Sequence, residues 1–491
     1  MSEAPANRRR RRYFASLAIV TVGGPFLLVT APQADAAGGP CVNNHRQQPL
    51  PERTGGLLGS IGFGSSGTTA TAPTEDTGDK PPWMKGRPGQ LPIIKGHTEA
   101  LHLVTGPGAP KRTDHAFGIA GTDLGVAMQD ADGRLILVFG DTMACDSSSD
   151  NWRSNTIVRT GDLDYSDGLE ITEALTRRGW SDRGRAIEFI PSLKDPGYEH
   201  TTIPTAAITV NGIHYVDYMS VRSWGAPGEW ETNYAATVSS PDGVTWTLER
   251  DSIRTNKRSS SLTRVQNLPR YRDGGEQLQM SSFIEHDGFI YRFSTPSGRD
   301  GAAVLGRVPV ADFPDEKSFT FFDGEGWFSP GDRKPGTDGD PEWYSLKEAV
   351  AVLDRPVSEL SVAWNEHLGR FIALYTTSNG MVLRTAENLT GPWGTERMVV
   401  DTGTVGDLYG GFILPGDTGR DLYFVATTWS NYNVLLMRTD LDELLGLGGG
   451  ERTYRGDRIA RTDPRPAAGP GYDPSDDDGL EVVGVVDYRD Q

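Results

Sequence analysis

Apolar and polar residues alternate with a period of two along much of the chain, the pattern of strands buried on one face. One version of it recurs five times. "GTDLGVAMQDADGRLILVFGDT" spans 121–142, "TTIPTAAITVNGIHYVDYMS" 201–220, "LQMSSFIEHDGFIYRFST" 278–295, "SELSVAWNEHLGRFIALYTT" 358–377 and "LYGGFILPGDTGRDLYFVATT" 408–428. Each is a short apolar strand, a turn containing glycine, then an alternating strand rich in aromatic and β-branched residues. A third strand follows in each case: "NTIVRTGD", "NYAATVSSPDGVTW", "AAVLGRVPVADF", "GMVLRTAENLTGPW" and "NVLLMRTDLDEL". Some of these run on into a tryptophan or apolar segment that reads as a fourth, outer strand.

Units of three or four strands at intervals of roughly 50–80 residues predict an all-β fold, a five-bladed β-propeller. One unit leaves an apolar face uncovered, whereas five packed around an axis cover all of them. A two-sheet sandwich is the alternative, but it has no need of the same hairpin five times. The 60 glycines and 32 prolines among 491 residues fit many short strands and turns.

The two ends read differently. Arg8 to Arg12 form a basic region, an apolar stretch follows from about Phe14 to Val29, and Ala34-Asp35-Ala36 is an A-x-A cleavage site. Residues 1–36 are therefore expected to be a signal peptide, with "RRYF" allowing a twin-arginine as well as a general secretory route. That implies a secreted, extracellular or cell-envelope protein with no stable membrane insertion after cleavage. Residues 37–95, rich in Gly, Pro, Ser and Thr, read as a largely disordered linker. The propeller is expected over 96–462, and the acidic, proline-rich 463–491 as a disordered tail.

Charge and cysteine content narrow the chemistry. The formal net charge is −18, from 48 basic and 66 acidic residues. That argues against nucleic-acid or anionic-membrane partners, both of which reward Lys and Arg. It suits neutral partners such as polysaccharides. The two cysteines, Cys41 and Cys145, are open to pairing or to remaining free. No CxxC, HExxH or dinucleotide glycine motif is present among the eight histidines and two cysteines, so no metal and no cofactor is expected.

The hairpins locate candidate residues. The first turns near Asp132, which makes Asp123 and Asp141 near-opposite partners across two strands. The turn glycines Gly133 and Gly369 correspond, and this puts Asp123 and Glu359 in the same place in two blades. First strands of propeller blades line the central channel, so these acids converge at one mouth. The equivalent positions elsewhere are about Thr202, Gln277 or Leu278, and Tyr409. Close carboxylates push at least one pKa up, as glycoside hydrolysis requires of its acid and its base or nucleophile. Candidate substrate-binding groups near the same ends are His200, Thr202, Arg153, Asp407, Tyr409 and Trp224, with Glu359 binding a hydroxyl or tuning pKa. Near-opposite acids lean towards the ~5 Å spacing of retaining rather than inverting enzymes. Arg153, Arg222 and Arg299 start no inner strand, which disfavours a sialidase-like site.

"GTDLG", "FGDT", "TTIPT", "YMSVRSWG", "ETNYA", "ELSVAWNEHLGRF", "MVLRTAENLTGPW" and "DLYGGF" resemble an exported actinobacterial domain family, long of unknown function, that includes endo-D-arabinanases. The resemblance spans about residues 95–445. It implies a five-bladed propeller that cleaves α-linked D-arabinofuranose chains in mycobacterial-type arabinogalactan and lipoarabinomannan. It also implies catalytic aspartates at Asp123 and Asp141. The alternatives are a non-catalytic propeller that binds cell-wall glycan and a hydrolase of another furanoside.

Overall fold

The computed structural model describes Cys41 and residues 89–226, 228–259, 262–331, 345–416, 418–429, 432–448 and 479–487. Each alternating segment is an antiparallel hairpin. Gly121–Gln129 pairs with Leu135–Met143, Thr201–Val210 with Ile213–Trp224, Met280–His286 with Phe289–Thr295, Ala351–Asn365 with Arg370–Thr377, and Leu408–Ile413 with Asp421–Thr428. A third strand continues every meander: Thr156–Thr160, Trp230–Ser240, Gly301–Pro309, Gly380–Ala386 and Asn433–Asp440. Helix among the described residues is confined to short pieces such as Thr113–Phe117 and Leu441–Leu445, so the chain is all-β as the pattern indicated.

In the first four meanders the next strand in sequence completes the sheet: Glu173–Thr176, Thr247–Thr255, Thr320–Phe322 and Arg397–Asp401. In the last meander that place is taken by Thr98–Leu103, which precedes all the others and pairs with Asn433–Asp440. The two ends of the folded region are thereby held in one sheet. The five first strands touch one another in cyclic order, the fifth returning to the first. Apolar side chains fill the gaps between neighbours. Phe139, Ile157, Val216, Tyr234 and Val425 share one buried cluster, and Leu374, Leu383, Val400, Phe424 and Leu435 another. Each cluster draws on more than one meander, so no meander buries its faces alone.

The ends correct two sequence expectations. Gln90–Lys95 closes the segment read as linker, and Glu481–Asp487 lies in the segment read as a disordered tail. They pair antiparallel as a two-stranded sheet. Leu91, Ile94 and Leu480 join the buried cluster around Phe424. The reason is local: "QLPIIK" and "EVVGVVD" carry enough apolar residues for a strand, but each is too short to outweigh its flanking composition. Cys41 and Cys145 form a disulfide with Cα atoms 4.9 Å apart. The segment read as a signal peptide, the rest of the segment read as linker and residues 463–478 lie outside the described residues.

Candidate active site

Three of the first strands break their pairing at the same end. In the first hairpin Thr122 faces Thr142, but the ladder then slips so that Leu124 faces Phe139. Leu124 (φ 66°) and Gly125 (φ 114°) take left-handed backbone there. In the fourth the register shifts between Ser358 and Ser361, with Glu359 at φ 41°. In the fifth it shifts between Tyr409 and Phe412, with Gly410 at φ 63°. A β-bulge re-aims a side chain that would otherwise alternate across the sheet. Here the bulges bring Asp123, Glu359 and Tyr409 to one cleft. Asp123 and Asp141 flank the bulge instead of facing each other in an unbroken ladder, which is where the structure departs from the sequence arithmetic.

The Asp123 carboxylate lies over Gly140, where no room is left for a Cβ. Gly140→Ala should displace that carboxylate, since its backbone is otherwise compatible with alanine. In an enzyme that uses this carboxyl, the expected outcome is at least about a tenfold loss of turnover with circular dichroism unchanged, since a 1 Å shift of a reacting group is costly.

Tyr409 Oη donates to Asp123 Oδ2 at 3.0 Å, while Asp123 Oδ1 is buried without a hydrogen-bond partner. Asp141 Oδ1 accepts from Trp152 Nε1 at 2.9 Å and from Thr201 Oγ1 at 3.0 Å. Glu359 Oε1 accepts from Arg299 Nε at 3.0 Å and Nη2 at 2.7 Å. The Arg299 guanidinium sits 5.0 Å from the Tyr409 ring and 5.8 Å from that of Trp230. Trp224 and Trp230 form one wall of the cleft, and Leu124, Ile203, Met280 and Phe412 contribute apolar surface.

Burial pushes the Asp123 carboxyl well above the usual range; the charges of Asp141 and Glu359 add to this, while the Tyr409 hydrogen bond and Arg299 oppose it. Burial also raises Asp141, to about 6, against the hydrogen bonds from Trp152 and Thr201 and the charge of Lys194. Burial thus biases both acids towards their protonated forms. A carboxyl whose folded pKa exceeds its unfolded value costs nothing in acid and destabilises progressively as pH rises through the folded value. Asp141→Asn should therefore gain stability relative to the parent between pH 4 and 7. The gain is at most about 3 kcal/mol for a shift of two units, read from melting midpoints across that range.

The other sequence-named residues divide. His200 packs with its ring centroid 5.5 Å from Trp152 and 6.4 Å from the cleft residue Trp224, and makes no ring hydrogen bond to a described residue. Thr202 turns the other way, donating to the Ile190 carbonyl and accepting from Asn155 Nδ2. Its neighbour Thr201 is the one that reaches Asp141. Arg153 is buried and donates to the carbonyls of Ala186 and Gly118, a structural role. Asp407 is exposed and is not among the residues lining the cleft. Of the sequence-named residues, Asp123, Glu359, Tyr409 and Trp224 line the cleft; Asp141, beside the Asp123 bulge, and His200, against Trp224, adjoin these residues without lining it, and Thr202, Arg153 and Asp407 do not line it either.

Trp230 and Lys194 are absent from the sequence-derived candidates, and Arg299 is disfavoured there because it starts no inner strand. The available signal was topological. In an antiparallel meander the start of the first strand and the connection from second to third lie at the same end. Trp152 and Arg299 sit on those connections, and Trp230 opens a third strand. Among the described residues no group of three or more His, Cys, Asp or Glu is arranged to hold a metal.

Comparison with known proteins adds the following. The family model described as Domain of unknown function (DUF4185) matches residues 108–438. Notoamide biosynthesis cluster protein J of Aspergillus sp. (strain MF297-2) is 25% identical over 350 residues, covering 68% of this chain and 86% of that protein. Notoamide biosynthesis cluster protein J' of Aspergillus versicolor is 26% identical over 339 residues, covering 66% and 85%. Among solved structures, a putative hydrolase from Bacteroides ovatus ATCC 8483 aligns with a TM-score of 0.41 at 12% identity, covering 69% of this chain and 90% of that one. The catalytic domain of a Coprinopsis cinerea GH62 alpha-L-arabinofuranosidase aligns with a TM-score of 0.37 at 13% identity, covering 72% and 98%.

Proposed function

The chain belongs to the family described as Domain of unknown function (DUF4185), and from that premise we propose that it is an exported glycoside hydrolase, an endo-D-arabinanase. Its substrates are the α-D-arabinofuranosyl linkages of arabinogalactan and lipoarabinomannan. The observation that carries this reading is the buried pair Asp123 and Asp141, both raised by burial, of which Asp123 lines a cleft walled by tryptophans and Asp141 lies beside the same bulge. One carboxyl gives its proton to the leaving oxygen. The other, ionised, attacks the anomeric carbon or activates water. Placement of both acids beside one bulge favours retention, which the anomer first released, followed by proton NMR, will show.

Glu359 neutralises the cleft arginine Arg299. A sialidase-like site needs arginines free for the substrate carboxylate, and neither Arg153 nor Arg222 lines the cleft. Burial lowers the His200 pKa and so favours its neutral form. Aromatic faces and neutral polar groups suit a neutral sugar. The cyclic contact of first strands and the closing strand Thr98–Leu103 support a five-bladed propeller. The basic and apolar N-terminal segments, together with a disulfide, support export.

A substrate panel tests the reading: arabinogalactan, lipoarabinomannan, L-arabinan and fructan, with reducing ends measured over time. Release confined to the two D-arabinans is expected. Release from L-arabinan or fructan alone would move the assignment to another furanoside. Binding without release would leave a non-catalytic glycan-binding protein.

A further inference from the structure

Trp152 belongs to a short strand, Trp152–Arg153, that pairs with Thr142 and Met143 and so runs beside Asp141. Its indole N–H reaches Asp141 Oδ1. The residue is held from behind. Lys194 Nζ donates to the Trp152 carbonyl at 2.6 Å and lies 4.9 Å from the indole ring. The same ammonium pairs with Glu188 Oε2 at 2.9 Å. Glu188 in turn accepts from the backbone N–H groups of Ser154, at 2.7 Å, and Ser192, at 3.1 Å. Lys194 adopts left-handed backbone, φ 56°, within this connection. On its other side the indole meets His200.

An indole N–H donates and never accepts. Aimed at Oδ1 together with the Thr201 hydroxyl, it fixes the rotation of the carboxyl and leaves Asp141 Oδ2 without a hydrogen bond from any described residue. We propose that Trp152 is a positioning residue for Asp141, selecting Oδ2 as the oxygen that meets substrate, and that the Glu188–Lys194 pair locks the indole in that pose. This rests on the reading of Asp141 as one of the working acids.

The charged groups around Asp141 are Asp123 across the bulge and Lys194 and Glu188 on the segment behind Trp152, with Glu359 and Arg299 acting on Asp123 from the far side of the cleft. Lys194 and Glu188 act on Asp141 in opposite directions, and the indole N–H outranks both, so its loss should dominate in a Trp152 variant. Trp152→Phe keeps an aromatic face towards His200 and Lys194 and removes only that donor. A donor to a carboxylate favours its ionised form, so removing it raises the titration midpoint.

The experiment is a 13C-carboxyl NMR titration of aspartate-labelled protein, with the Asp141 resonance assigned by its loss in Asp141→Asn. Trp152→Phe is expected to move the midpoint up by about one unit, and Lys194→Met to move it up by less. The pH limb of kcat/KM on arabinogalactan should move in the same direction. Midpoints within about 0.2 unit of the parent in both variants, with unchanged melting, would overturn the proposal. The titration needs no turnover. A parent protein inactive on every D-arabinan would sink the hydrolase reading, while the midpoint shift would still judge Trp152.

Discussion

Asp141→Asn should reduce kcat on arabinogalactan by at least about a thousandfold while the protein remains folded, the scale expected when an acid–base or nucleophilic group is lost. The substitution is discriminating because asparagine keeps an acceptor for Trp152 Nε1 and Thr201 Oγ1, the two donors that hold the carboxyl in place. Only the charge and the titratable proton disappear. If Asp141 merely tied the two meanders together, the variant would retain most of its turnover. Asp123→Asn should cause a comparable loss, and the double variant little more than either alone, since the two acids act as one unit. Steady-state rates with a melting curve for each variant check this. Because the lost carboxyl is costly to bury when ionised, the inactive Asp141 variant should also be the more heat-resistant protein at neutral pH.

The second large effect concerns stability alone. Asp217 and Arg254 form an ion pair of 2.6 Å with side chains 0% and 1% exposed. Asp217 also accepts from Thr237 Oγ1. Arg254 donates further to the carbonyls of Leu278 and Ser252, so it links the outer strand of the second meander to the entry of the third. Asp217→Ala leaves a buried guanidinium without its counter-charge. A loss of about 3–5 kcal/mol is expected, seen as a fall in the melting midpoint on the order of 10 °C. Replacing both partners together, Asp217→Leu with Arg254→Met, should recover most of it, because the pair's desolvation cost is removed with the pair. A double variant as unstable as Asp217→Ala would show that packing at this position, and not unpaired charge, sets the loss.

Much of this molecule could be read from its residues. Period-two alternation and glycine turns marked all five hairpins, because strand geometry imposes that period on any half-buried segment. Matching Gly133 with Gly369 brought Asp123 and Glu359 together, and both line the cleft. The errors have physical sources. Counting from the turn assumes an unbroken ladder, yet the register slips beside Asp123, Glu359 and Tyr409. Alternation also decides between neighbours, and Thr201 rather than Thr202 faces Asp141. Arg299 was set aside because it starts no strand, although the connection that carries it returns to the same end of the sheet. The strands Thr98–Leu103 and Glu481–Asp487 find partners far away in sequence, and no local pattern reports such pairing.

The most direct measurement is the product profile after incubating the protein with arabinogalactan. Chromatography of the soluble fraction should reveal D-arabino-oligosaccharides of several lengths, formed by the parent and absent with Asp123→Asn and Asp141→Asn. No soluble oligosaccharide from the parent, or the same profile from the variants, would contradict the assignment of these two carboxylates as the groups that cleave the chain.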